Sequence, residues 1–248
     1  MKISRRDSIQ ALASAAAIRR AEARPDRPIR LIVLDVGGTL IAERGDVPET
    51  LRLAFANHGL TVTAGEIAEW RGASKREVVR HFVDLRAGAA NRERLAADIY
   101  RDFHTRLNAV YQTVPPIAGV EDAIRQMRDA GYLVATSTGF DRETTAAIFR
   151  RLGWEKYFVA TVTSDDVAAG RPAPYMLFHA MESARVESVA EVIAAGDTPL
   201  DLQAAANAGL RAAIGVLSGA GTPEQLRREP HTEILPSVAG LPSILEKL

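Results

Sequence analysis

Cysteine is absent from the chain, which removes disulfides, thiol nucleophiles and thiolate metal sites together. An excess of either charge is also missing. The 31 Lys and Arg residues are matched by 31 Asp and Glu, giving a formal net charge of +0, so no basic surplus is on hand to release counterions from a polyanion. Aromatic residues make up only 6%, and no basic stripe interleaved with them is present. Nucleic acid is therefore not expected as a partner. No apolar run approaches the ~18 residues needed to cross a bilayer, so no membrane partner is expected either. The rest of the composition is ordinary. With 248 residues, 47% hydrophobic and 25% charged, the chain suits one large domain, or a core carrying a smaller insert.

Residues 1–28 differ in character from the rest of the chain. Two arginines, an apolar stretch over residues 9–18 and an A-x-A at Ala21 to Ala23 resemble a twin-arginine export signal, which would make the protein periplasmic. The other reading is an amphipathic or irregular extension on a cytoplasmic protein, with Pro25 and Pro28 marking the boundary. Both readings leave this segment outside the fold.

Residues 29–34 (IRLIVL) form a continuous run of β-branched residues and Leu stopped by Asp35 and a Gly-Gly pair, the pattern of a strand buried on both faces. Similar runs recur at 132–136, 157–161, 192–195 and 212–216, separated by helical patterns at 120–130, 143–152, 174–184 and 200–208. This alternation implies an α/β fold, an open, doubly wound parallel sheet of Rossmann-like type. Residues 47–115 contain no strand pattern but four amphipathic stretches, at 49–58, 64–70, 75–85 and 91–111. A structureless loop of that length is implausible, so the expected organisation is an α/β core over 29–46 and 116–248 with an inserted α-helical cap subdomain over 47–115.

The chemistry gathers at the predicted strand ends. Asp35 opens DVGGT, where Gly37 and Gly38 permit a turn and offer N–H groups to an anion. Ser137 and Thr138 in ATSTGF place hydroxyls, and an expected helix N-terminus, where phosphate oxygens could be held. Arg171 in AAGRPAP is a fixed cation beside a proline turn. Asp197 and Asp201 in GDTPLD have i, i+4 spacing, expected to put both carboxylates on one helix face toward a hard cation. Singly, each Asp or Ser could be a helix cap and Arg171 a surface ion pair; together they converge on anion and metal chemistry. His58, His81, His104 and His231 show no ligand spacing and read as surface or packing residues.

These motifs, in this order, resemble the haloacid dehalogenase superfamily of aspartyl-nucleophile hydrolases. The resemblance implies Asp35 as nucleophile, Ser137 and Thr138 with Arg171 as the phosphoryl grip, and Mg2+ held by Asp35, the Gly37 carbonyl and Asp197, with Asp201 ordering its water shell. Most phosphatases of the superfamily carry a second Asp two residues after the nucleophile as general acid, where this chain has Gly37. A branch that lacks that Asp yet keeps the metal motif is phosphonoacetaldehyde hydrolase. SDDVAAGRPAP and STGFDR are similar to its motifs, and Lys75 in RGASKREVV matches the place of its imine-forming cap lysine, with Arg71 facing the organic part of the substrate. Three positions depart from that pattern, at Val78, Phe140 and Arg71 itself, and bring the chain closest to the phosphonatase-like group. The implied activity is hydrolysis of the carbon–phosphorus bond of phosphonoacetaldehyde or a related small phosphonate or phosphate. The alternatives are a phosphomonoester phosphatase without the usual acid, and a non-catalytic binding protein. The sequence leaves a homodimer open.

Overall fold

A computed structural model describes residues 28–88 and 90–248, so the arginine-rich segment within residues 1–27 lies outside the described residues. Six parallel strands form one sheet: β1 (Leu31–Leu34), β2 (Leu133–Ser137), β3 (Ala160–Val162), β4 (Val192–Gly196), β5 (Ala212–Val216) and β6 (Glu233–Leu235). Their spatial order is β3-β2-β1-β4-β5-β6, which puts β1 at the centre with β2 and β4 on either side. Leu34 pairs with Thr136 and with Ala195, so the three chains leave the sheet level with one another, and Asp35, Ser137 and Asp197 emerge close together.

Both faces of the sheet are covered. Ile32 and Leu34 of β1 join a core with Val120, Ile124 and Met127 of α5 (Val120–Asp129) and Ile148 and Phe149 of α6 (Arg142–Leu152). Leu31 and Val33 join a second core with Met176, Leu177 and Ala180 of α7 (Tyr175–Ala184) and Leu202 and Ala205 of α8 (Pro199–Ala208). Burial on both faces is why β1 reads as unbroken apolar sequence rather than alternation.

Four helices occupy the stretch between β1 and α5: α1 (Asp46–Asn57), α2 (Ala64–Ala68), α3 (Lys75–Arg86) and α4 (Arg92–Tyr111). Their apolar stripes meet at Phe55, Ile67, Phe82, Ile99 and Phe103, and this cluster is continuous with the first core through Val36, Leu40 and Ile41. The helical segment therefore sits directly over the strand ends. A short helix α9 (Pro223–Arg227) precedes β6. Among the described residues no helix is long and apolar enough to cross a membrane.

The sequence pattern and the structure differ at two strands. The run at 157–161 begins with a 3-10 turn, Glu155–Tyr157, because Tyr157 is held by its hydroxyl, which donates to Glu121 Oε1 at 2.9 Å and accepts from Arg125; the strand starts only at Ala160. The edge strand β6 spans Glu233–Leu235 and carries a charge at its first position, too short and polar to register as a hydrophobic run.

Candidate active site

Arg171 lies at the centre of the site. The residue is 5% exposed. Nη2 donates to Asp35 Oδ1 at 2.7 Å and to the Ser137 carbonyl at 2.6 Å, and Nη1 lies 2.6 Å from Asp201 Oδ1. Burial opposes its charge, but Asp201, Asp35 and Asp197 outweigh that and hold it protonated more firmly than an ordinary arginine. The two bonds on Nη2 fix the direction of the Asp35 carboxylate.

Asp197 leaves the end of β4 and its Oδ2 accepts from the Ala220 N–H at 2.7 Å. Thr39, from the DVGGT turn, donates to Oδ1 at 3.4 Å. Gly38 adopts φ 80°, and a Cβ there would collide with Asp197 Oδ2; this contact, as well as the turn, requires glycine. The Gly38 N–H is committed to the Ile41 carbonyl at 2.8 Å, so it is not offered to an anion as the motif suggests.

Two further expectations are corrected. Asp197 and Asp201 do not share a helix face: Asp197 precedes the N-cap Thr198, and only Asp201 lies in α8, where its Oδ2 accepts from Thr198 N at 3.0 Å and Thr198 Oγ1 at 2.6 Å as a capping box. The tight turn after β4, not helical spacing, brings the two carboxylates together. Ser137 and Thr138 do not stand at a helix N-terminus. Asp141 occupies that place, its Oδ1 accepting from Thr144 N at 2.8 Å, so the positive end of α6 is already filled by a carboxylate. Thr138 lines the cleft with its Oγ1 accepting from Phe140 N at 3.2 Å, while Ser137 lies behind, its Oγ 3.3 Å from Arg171.

Asp35, Asp197 and Asp201 each offer a carboxylate oxygen within 4.8 Å of the others, all three buried. Three acids around one guanidinium leave negative charge uncompensated. Burial, then Asp35 and Asp201, push Asp197 well above the usual carboxylate range, and burial and Asp35 push Asp201 up to about 6 despite Arg171 and Thr198. Hard oxygen donors with surplus negative charge fit a divalent cation such as Mg2+. Asp35 and Asp197 line the cleft and would hold it with the adjacent Gly37 carbonyl; Asp201, engaged by Arg171 and Thr198, stands behind them.

The cleft lies between these strand ends and the helical segment. Lys75, the first residue of α3, projects into it, its Nζ donating to the Ala73 carbonyl at 2.9 Å and standing 5.5 Å above the Phe140 ring. Burial, seconded by Arg171, lowers its pKa, while Asp35, Glu43 and Asp197 act in the opposite sense. Arg71, exposed, reaches the rim and donates to the Ala220 carbonyl at 3.4 Å. All nine candidate residues are thus brought to one place, Ser137 and Asp201 as supports behind the cleft wall.

One carboxylate of the cleft escaped the motif reading. Glu43 is a carboxylate of the wall outside the three-acid cluster, its Oε1 accepting from Gly45 N at 2.6 Å. Phe140 and Val78 make the wall around Lys75 apolar. Glu43 carries no local signal in the sequence. Of the histidines, His104 lies 3.3 Å from Asp141 Oδ1, and His81 packs on Trp70 with ring centroids 4.4 Å apart; among the described residues no group that could hold a metal includes a histidine.

A parallel α/β sheet with an aspartate at the end of its central strand, two more at the next strand end and a buried cation between them defines a class of hydrolase. The chain belongs to the haloacid dehalogenase-like hydrolases, matching that family over residues 29–209. Among curated relatives, it is 27% identical to a phosphonoacetaldehyde hydrolase of Bacillus cytotoxicus over 205 residues, covering 77% of this chain and 76% of that one. Among solved structures, a phosphonoacetaldehyde hydrolase-like protein from Oleispira antarctica superposes with a TM-score of 0.76 at 22% identity, covering 89% and 92% of the two chains. A hydrolase from Pseudomonas syringae gives a TM-score of 0.79 at 16% identity, covering 88% and 99%.

Proposed function

We propose that the protein is a Mg2+-dependent hydrolase of a small phosphonate, with phosphonoacetaldehyde or a related carbonyl phosphonate as substrate, and that the helical segment is its cap. The observation that carries this reading is the meeting of Lys75 and Asp35 in one cleft, with burial lowering the amine's pKa. A neutral amine is what addition to an aldehyde requires.

In this reading Lys75 adds to the carbonyl carbon and, as water leaves, forms an imine. An Asp35 oxygen then bonds to phosphorus while the phosphorus–carbon bond breaks. The electron pair moves into the imine to give an enamine, which takes up a proton at carbon and is hydrolysed by water to release the aldehyde and free Lys75, while the phosphoryl group rests on Asp35 until a second water releases it. Arg171 and Thr138 hold the phosphoryl oxygens and Arg171 aims Asp35; Arg71 closes the rim. A bound Mg2+ supplies charge neutralisation for the phosphoryl oxygens. Because carbon leaves as an enamine, no acid is needed where Gly37 stands.

A second reading has its own observation. Val78 and Phe140 surround Lys75 with apolar surface, and its one described hydrogen bond goes to the Ala73 carbonyl, so the amine has little help in proton transfer. That setting also suits a phosphomonoester phosphatase in which Lys75 only holds the substrate. Acetaldehyde release from phosphonoacetaldehyde with Mg2+ separates the two. Loss of release in both Lys75→Ala and Asp35→Asn supports the phosphonatase. Phosphate release from an ester without acetaldehyde release, lost in Asp35→Asn but not in Lys75→Ala, supports the phosphatase. Full activity of folded Asp35→Asn would sink both.

A further inference from the structure

The start of α3 reads Ser-Lys-Arg-Glu from Ser74 to Glu77, the signature of a capping box. The box does not form. Ser74 makes no side-chain capping bond, and Glu77 turns away from its own helix to accept from the backbone N–H of Gly170, Oε1 to N 2.9 Å, across 93 residues of chain. The helix forgoes its local capping bonds and the carboxylate is engaged by the core instead. Gly170 is the residue before Arg171, the guanidinium that aims Asp35. The approach is close: a Cβ on Gly170 would lie 3.2 Å from Glu77 Oε2 and 3.2 Å from Ser74 Cβ.

The neighbouring residues of this turn point elsewhere. Lys75 faces the cleft, and Arg76 reaches Asp165 Oδ1 at 3.2 Å while lying 4.0 Å above the Tyr100 ring. Arg76 is more than half exposed, so its ion pair is weak. Glu77 is therefore the member of the turn that engages the peptide leading into Arg171.

We propose that Glu77 is a positioning residue, seating the first turn of α3 on the Gly170 peptide so that Lys75 and the Arg171–Asp35 pair are held in register. This deepens the hydrolase reading above and rests on it. The acceptor oxygen, not the charge, does the positioning, since the donor is a neutral peptide N–H. A misplacement of about 1 Å at a reacting group costs on the order of 100-fold in rate.

The test compares Glu77→Ala with Glu77→Gln, which keeps an acceptor oxygen, measuring amide hydrogen exchange at Gly170 and steady-state kinetics with phosphonoacetaldehyde and with a phosphate ester. In Glu77→Ala the Gly170 amide is expected to exchange at least about 10-fold faster and kcat to fall about 10- to 100-fold, with KM changed far less. Glu77→Gln is expected to stay within about 3-fold of the unaltered protein on every readout. Faster exchange with unchanged kcat in Glu77→Ala would show a contact that positions nothing. Equal losses in both variants would show that the charge matters instead. Either result overturns the proposal. An unaltered protein that hydrolyses neither substrate overturns the hydrolase reading and the role of Glu77 with it, and that failure is recognisable because it precedes any comparison of variants.

Discussion

The hydroxyl of Tyr100 donates to Asp141 Oδ2 at 2.6 Å, tying the longest helix of the helical segment to the first turn of α6. Asp141 is both the cap of α6 and the acceptor of this bond. Tyr100→Phe removes one charge-assisted hydrogen bond from a buried carboxylate and is expected to cost about 1–3 kcal/mol, read from denaturant unfolding. The pH dependence has a definite sign. Burial raises the Asp141 pKa, but the Tyr100 hydroxyl, the Thr144 N–H and His104 outweigh it and leave the carboxyl below its ordinary value. Its stabilisation is therefore complete above pH about 4 and is lost as pH falls through the lower folded-state value. The Tm advantage of the unaltered protein over Asp141→Asn should narrow below pH about 4.

The three-acid cluster has the opposite sign. Asp201, pushed up to about 6, and Asp197, raised well above the usual carboxylate range, bind protons in the fold that the unfolded chain has already lost. Without metal, stability should decline as pH rises from about 4 through about 6. Mg2+ compensates the same charge, so millimolar Mg2+ should raise Tm more at pH 7.5 than at pH 5. A Tm increment independent of pH would argue against these aspartates as its site.

Much of this was legible in the sequence because each strand-end motif carries its own local reason. An unbroken apolar run ending in Asp35 can hardly be anything but a buried central strand and its terminus, and GDTPLD announces a turn that needs acids. What was hidden depends on contacts distant in sequence. Asp141 capping α6, and so closing that helix end to phosphate, cannot be told from STGFDR alone. Nor can the commitment of the Gly38 N–H to Ile41. Glu43 lies on an ordinary-looking loop, and its nearness to Lys75 is created by packing.

Glu43 gives a further prediction. Its carboxylate favours the charged form of Lys75, so Glu43→Gln should lower the amine's pKa further. The pH profile of borohydride trapping with an aldehyde should move its acid limb to lower pH. A profile that stays in place would mean the two groups do not sense each other.

Gly139 is packed against the loop that leads into α3. A Cβ there would come within 2.7 Å of the Ala73 carbonyl and 3.2 Å of Lys75 Nζ. Gly139→Ala is expected to displace that loop and reduce kcat/KM about 10- to 100-fold, with a loss of stability nearer 1–3 kcal/mol. Unaltered kinetics would mean the loop already rests further out in solution.

The pairing of β1 on both edges also has an evolutionary consequence. The residue that would do the chemistry is rooted in the strand hardest to alter without unfolding the protein. The residues that would choose the substrate sit outside the sheet, Val78 on α3 and Phe140 and Glu43 on loops. Selection can thus rework what enters the cleft at Val78, Phe140 or Glu43 while inheriting Asp35 unchanged. One scaffold can pass from one phosphorus compound to another by substitutions that never touch its central strand.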